Sequence, residues 1–163
     1  MDKVAFLPFG LLVDRWQWGV FDGSITPTGY NKAWTDVRLE YQSIVPPATR
    51  PIDAFYARAK YHIPENTSYT RYFLAQILQF QFYKTACEQA GWDGPLHRCS
   101  FYGNKKVAES LNAILELGAS KPWPDALEAF TGTREMSAKP ILEYFSPLME
   151  WLKQRNKGEK AGW

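Results

Sequence analysis

The chain is poor in the side chains that most often carry chemistry, with two histidines and two cysteines in 163 residues. No H-E-x-x-H pair, nucleophile elbow or glycine-rich phosphate loop occurs, which excludes the common metalloprotease, serine-hydrolase and nucleotide-binding motifs from it. No recognised spacing of its histidines and carboxylates assembles a three-ligand zinc site. An excess of one charge is also missing. With 19 Lys+Arg against 17 Asp+Glu, a formal charge of +2, the balance argues for neither nucleic acid nor an anionic membrane surface as a partner. No apolar run approaches the roughly 18 residues of a transmembrane helix, and Met1-Asp2-Lys3-Val4 is not followed by a signal-peptide pattern. Sustained period-2 alternation, low complexity and internal repeats are absent too, which points to an all-α class.

What the chain does hold is apolar and aromatic. A 45% apolar fraction over 163 residues suffices for one sizeable core, so a second domain is not expected. Seven Trp, nine Tyr and ten Phe exceed what such a core usually takes, so some should line a pocket or face a neighbour. The chain opens directly into periodic apolar sequence, as a piece of a larger protein would; a short natural protein is the alternative.

Helical spacing of Phe6, Phe9, Leu12, Val13, Trp16 and Val20 predicts a buried helix over residues 4–21, stopped by Asp22-Gly23. Pro8 should bend it or leave Phe6 in a non-helical first turn. Thr26 and Pro27 form a cap and first-position pair for a helix to about Tyr41, with Trp34 and Arg38 on one face. A short helix is expected over residues 53–60. From Tyr69 to Ala90 neither Gly nor Pro intervenes. Here Phe73, Ile77 and Phe80 form an apolar stripe, while Tyr69, Tyr72, Gln76, Gln79 and Tyr83 form a polar-tipped one, lining either a wet cleft or a helix interface. Asn104 should cap a helix over residues 105–117 closed by Gly118, and Pro122-Trp123-Pro124 should begin a shorter one ending at Gly132. Ser137 is the expected cap of the last helix, with Leu142, Phe145, Leu148, Met149 and Leu152 facing inward.

The densest functional stretch runs from Lys60-Tyr61-His62-Ile63-Pro64 to Tyr69-Thr70-Arg71-Tyr72-Phe73. It gathers an ammonium, an imidazole, a guanidinium and phenols, donors suited to a carboxylate and a polarised carbonyl, but no base. Cys87 and Cys99 either close a short loop, contributing about 3 kcal/mol by chain entropy in an exported protein, or remain buried thiols in a reducing compartment. Spacing alone leaves both open. The sequon Asn66-Thr67-Ser68 is too common to decide anything.

Several of these segments carry a resemblance. Phe6-Leu7-Pro8-Phe9-Gly10, Trp16-Gln17-Trp18-Gly19-Val20-Phe21, Lys60-Tyr61-His62-Ile63-Pro64, Tyr69-Thr70-Arg71-Tyr72-Phe73, Gln79-Phe80-Gln81-Phe82, Gly94-Pro95-Leu96-His97, Pro122-Trp123-Pro124 and the closing Gly162-Trp163 resemble, in order, the C-terminal part of the peptidase domain of the angiotensin-converting enzyme family. The resemblance implies a zinc peptidyl-dipeptidase, a carboxypeptidase-like metallopeptidase that releases dipeptides from the C-terminus of oligopeptides. Its fold would be all-α around a deep central cleft, with residues 1–163 the C-terminal segment of one incomplete domain.

Residue by residue, the resemblance makes Lys60 and Tyr69 the groups that hold the substrate's terminal carboxylate. His62 would bond the substrate backbone and Tyr72 would stabilise the oxyanion. Phe6 would wall the pocket for the last substrate residue, and Gln76 would line it where relatives usually carry phenylalanine, making it more polar and less suited to bulky apolar residues. Arg71 would bind one chloride and Trp34 with Arg38 a second; Thr35, where a second Trp is common, would loosen that site. The cysteine pair becomes a disulfide by the same resemblance, and an exported location, extracellular or periplasmic, is implied, with any membrane association through segments outside this chain. The zinc ligands and general-base glutamate would lie upstream in the remainder of the domain. The chain alone is then expected to be inactive, and the competing reading is a non-catalytic relative that binds peptides or acts as an interaction module.

Overall fold

The computed structural model describes residues 2–54 and 56–160, so the Gly162-Trp163 match lies outside the described residues. Among these residues every regular element is helical, as expected: α1 (Asp2–Phe21), α2 (Tyr30–Gln42), α3 (Thr70–Gln89), α4 (Lys105–Leu117), α5 (Trp123–Thr131) and α6 (Lys139–Arg155), with three short 3-10 turns. The chain divides into two compact units, one up to Gln76 and the other from Ile77 onward.

The first unit is built on α1. Its stripe buries Leu12, Val13 and Trp16, against which α2 sets Trp34, edge-on to Trp16 at 5.9 Å between ring centroids. Burying such side chains stabilises by about 1.5–3 kcal/mol each. Pro8 lies inside α1 without ending it, and Phe6 is helical, so the non-helical first turn is not observed. The α2 cap also differs from expectation. Pro27–Gly29 makes a 3-10 turn closed by Gly29 N–H donating to the Thr26 carbonyl at 2.8 Å, and the Thr26 hydroxyl caps nothing. At the far end Ser43 takes a left-handed φ of 53°, and its N–H donates to the Leu39 carbonyl at 3.0 Å.

Of the helix expected over residues 53–60, only a 3-10 turn at Ala57–Ala59 forms. The reason is a competing hydrogen-bond supply from α2. Asn31 Nδ2 donates to the carbonyls of Pro51, Ile52 and Ala54, and Asn31 Oδ1 accepts from Tyr56 N–H, so these backbone groups are satisfied without helix.

In the second unit, α3 continues with Phe80, Ala86 and Cys87 buried. Val107 of α4 and Phe130 of α5 pack with Ala86, and the Cys87–Cys99 disulfide, formed as the resemblance implied, anchors a second cluster around Leu96. Asn104 Oδ1 accepts from Val107 N–H at 3.1 Å, and Gly118 and Gly132 adopt positive φ at helix ends, as their sequence signals required. Gln81 clamps the turn before α6, donating to the Glu135 carbonyl and accepting from Ser137 N–H, both at 3.0 Å. Because that amide is taken and α6 begins later, Ser137 does not occupy the cap position. Ala138 does, without a side-chain bond. The inward face predicted for α6 holds only in part: Phe145 and Leu152 are half-buried, but Leu142, Leu148 and Met149 are exposed. Leu142 and Met149 are 69% and 53% exposed, because α6 docks by Pro140 and Ile141 and by Tyr144 and Phe145 against Phe80.

Candidate functional site

The first unit assembles the donor stretch through two buried polar residues of α1, one turn apart. Gln17, 4% exposed, donates Nε2–H to the carbonyls of His62 and Ile63, both at 3.4 Å. Asp14, 2% exposed, accepts from the Ser68 hydroxyl at 3.0 Å, Tyr69 N–H at 2.8 Å and Thr70 N–H at 2.7 Å. A side chain from another helix therefore caps α3, where a carboxylate also suits the positive end of the dipole. Burial pushes the Asp14 carboxyl up, but the hydrogen bonds from Thr70, Tyr69 and Ser68 outweigh it and hold the group below its ordinary value.

With both ends of the segment tied, four of the predicted site residues come together. The His62 ring meets Tyr69 edge-on at 4.6 Å between centroids and Tyr72 at 5.6 Å, and the two phenol rings lie 4.9 Å apart. Lys60 Nζ sits 4.4 Å from the Tyr69 ring centroid and 5.5 Å from that of Phe9, so aromatic faces hold the ammonium. Lys60 makes no ion pair among the described residues, which leaves its charge available to an anion. His62 Nδ1 is buried without a partner. Tyr69 is 6% exposed and Tyr72 44%, so one phenol is embedded and the other is open to a ligand. Phe6 flanks Tyr69 at 6.0 Å.

The remaining predicted residues stand apart. Arg71 is exposed on α3 and unpaired among the described residues. Trp34 Nε1 is buried with no partner, a free donor inside the α1 and α2 packing. Its neighbour Arg38 is engaged, donating Nη1–H to the Tyr56 hydroxyl at 2.9 Å and Nε–H to Gln42. Thr35 donates to the Asn31 carbonyl. Gln76 is 8% exposed and its Nε2 has no partner. On the polar-tipped stripe, Gln79 is exposed and Tyr83 turns its hydroxyl to the Cys99 carbonyl at 2.6 Å, a packing role. No group of three or more His, Cys, Asp or Glu among the described residues is placed to hold a metal ion.

Sequence reasoning missed Asp14 and Gln17. Their signal was available: Gln17 falls four residues after Val13 on the apolar stripe, and a carboxylate in Leu11-Leu12-Val13-Asp14 needs partners if buried.

An ammonium, an imidazole and two phenols converging on a helical frame define a helical protein with a donor-lined site for carboxylate or carbonyl oxygens. The whole chain, residues 1–163, matches the family described as angiotensin-converting enzyme. It is 49% identical over 165 residues to the angiotensin-converting enzyme of Oryctolagus cuniculus, covering 100% of this chain and 13% of that protein. Identity to the Mesocricetus auratus enzyme is 47%, with 100% and 13% covered. For the Theromyzon tessulatum enzyme it is 44%, with 95% and 25% covered. The chain belongs to the angiotensin-converting enzyme family, metallopeptidases of the peptidyl-dipeptidase type. It spans between about an eighth and a quarter of the length of these relatives.

Proposed function

We propose that the chain supplies the substrate-anchoring and oxyanion-stabilising half of a peptidyl-dipeptidase that releases dipeptides from the C-terminus of oligopeptides. The observation that carries the reading is the convergence of Lys60, His62, Tyr69 and Tyr72, with His62 between the two phenols. Lys60 and Tyr69 hold the terminal carboxylate, an ammonium giving charge and a phenol giving a directed donor. His62 bonds the substrate backbone. Tyr72, the exposed phenol, donates to the scissile oxygen as it gains charge, where loss of one donor typically costs about 2.7–4 kcal/mol in the barrier. Phe6 lines the pocket of the last residue.

The described residues offer no fitting ligand set for zinc, so these roles concern substrate atoms only. In this reading the metal and the general base are supplied by segments outside residues 1–163. For chloride the fit is partial. Trp34 Nε1 is a buried donor without a partner, as an anion site requires, and Arg38 would have to share its guanidinium with Tyr56. Arg71 would hold the other ion. An exported, oxidising location is part of the proposal, supported by the Cys87–Cys99 disulfide.

The test is binding of N-acetylated dipeptides to the full 163-residue chain by calorimetry. Free-acid peptides should bind and their C-terminal amides should not, with Lys60→Ala abolishing the difference. Equal binding of acid and amide sinks the carboxylate role. Purified chain should neither retain stoichiometric zinc nor hydrolyse a blocked tripeptide, and either activity would overturn the half-site reading.

A further inference from the structure

Beside α2 lies a cavity of about 510 Å³ that the peptidase reading leaves without a role. It shares no residue with the Lys60 to Tyr72 stretch, and its size is that of a small-molecule site, commonly about 300–1,000 Å³. Its walls are of two kinds. Pro46, Pro47 and Ala48 form an apolar one, and because a proline nitrogen carries no hydrogen it offers few donors. Thr35 adds chiefly its methyl group, since its hydroxyl donates to the Asn31 carbonyl at 3.0 Å. The other wall is Tyr56 with Arg50.

Tyr56 is a fixed platform. Its N–H donates to Asn31 Oδ1 at 3.4 Å, its hydroxyl accepts from Arg38 at 2.9 Å, and its ring meets Trp34 edge-on at 6.4 Å between centroids. The Arg50 guanidinium lies over that ring, 4.3 Å from its centroid. Such a contact holds the cation by its charge and engages none of its N–H groups. Arg50 makes no hydrogen bond or ion pair among the described residues. Lys32, the other cation of the lining, is paired with Asp36 at 2.6 Å, so the charge left uncompensated is that of Arg50. A planar fork of donors with a single net positive charge suits a carboxylate, which a guanidinium takes bidentately. The proline rings suit what carries it, because proline surfaces pack on aromatic faces. We propose that the cavity binds a monocarboxylate borne on an aromatic ring, with Arg50 on the carboxylate and the ring against Pro46 and Pro47. A free aromatic acid and a peptide ending in phenylalanine share this chemistry.

The inference is independent of the anchoring role of Lys60, and one experiment keeps the two apart. Phenylacetate, phenylacetamide, N-acetylglycyl-phenylalanine and inorganic phosphate are each titrated into the full chain to about 10 mM, enough to detect millimolar binding. The methyl resonances of Ala48 and Thr49, both in the lining, are followed by NMR. Phenylacetate should shift both methyls, and phenylacetamide and phosphate should shift neither. Shifts with the peptide as well make peptide ends the source of the ligand, and shifts with phenylacetate alone make it a free acid. Arg50→Gln should weaken phenylacetate about tenfold or more, and Arg50→Lys, which keeps the charge without the fork, by less. Arg50 is exposed, so neither variant disturbs the core. Lys60→Ala should leave the shifts as they are. The amide or phosphate acting as strongly as the acid, an Arg50→Gln chain that binds as the native one does, or shifts lost with Lys60→Ala would each overturn the inference. So would methyls that neither acid moves.

Discussion

Replacing Asp14 by alanine removes a side chain that caps the start of α3. Three donors lose their acceptor at once: the Ser68 hydroxyl and the amides of Tyr69 and Thr70. Hydrogen bonds to a charged group contribute about 1.5–3 kcal/mol each, but water can reach some freed donors and the terms are not additive, so the expected loss is about 3 kcal/mol. Asp14→Asn keeps an oxygen acceptor while losing the charge, and should cost about half as much. For a chain of this length each kcal/mol lowers Tm by about 2–4 °C, placing the alanine variant roughly 6–12 °C lower. The pH dependence has a fixed sign. Because the folded-state carboxyl lies below its ordinary value, its contribution is present above the unfolded pKa near 4 and is lost as pH falls through the folded value. Urea unfolding of native and D14A chains should therefore diverge most at neutral pH and converge in acid. Amide exchange at Tyr69 and Thr70 should accelerate selectively in the variant. A gap under 1 kcal/mol, or one that does not shrink in acid, would refute the assignment.

Reducing the Cys87–Cys99 disulfide should lower stability by about 3 kcal/mol, read as a shift of the urea midpoint with reductant, and coincident curves would contradict it. Gln81→Ala strands the Glu135 carbonyl and Ser137 amide and should cost about 2 kcal/mol, visible as faster exchange at Ser137. Lys84→Met breaks half-exposed pairs with Glu143 and Glu88 and should change stability by less than about 1 kcal/mol; a larger loss would mean these pairs are more than surface contacts. The exposed Leu142, Met149 and Trp151 on α6 should bind an apolar dye and promote association of the isolated chain, measured by fluorescence and light scattering.

The helices and most of their ends were legible because their signals are local. Asn104, Gly118 and Gly132 act within a turn of their own positions. The misreadings share the opposite property. The helix expected over residues 53–60 shrinks to a 3-10 turn because Asn31, on another helix, takes the Ala54 carbonyl and the Tyr56 amide, and the α6 start shifts because Gln81 of α3 takes the Ser137 amide. Periodicity marked Leu142 and Met149 as inward-facing, but which stripe of a helix is covered depends on its neighbours. At the site, Lys60, His62, Tyr69 and Tyr72 could be chosen from one sequence stretch. Asp14 and Gln17, which hold that stretch, lie more than forty positions away.

The two ties from α1 also divide the chain into parts that can change length and parts that cannot. Asp14 and Gln17 lie on one rigid helix, so His62 and Tyr69 are positioned by a common ruler as well as by the short turn between them. The turn-rich run from Ser43 to Ala54 carries no part of that measurement. Insertions there leave the distance from imidazole to phenol unaltered, whereas a single residue added or removed between Asp14 and Gln17 rotates one tie by about 100° away from the site. Drift in length is thus confined to the loops, and the spacing within α1 is what selection must keep.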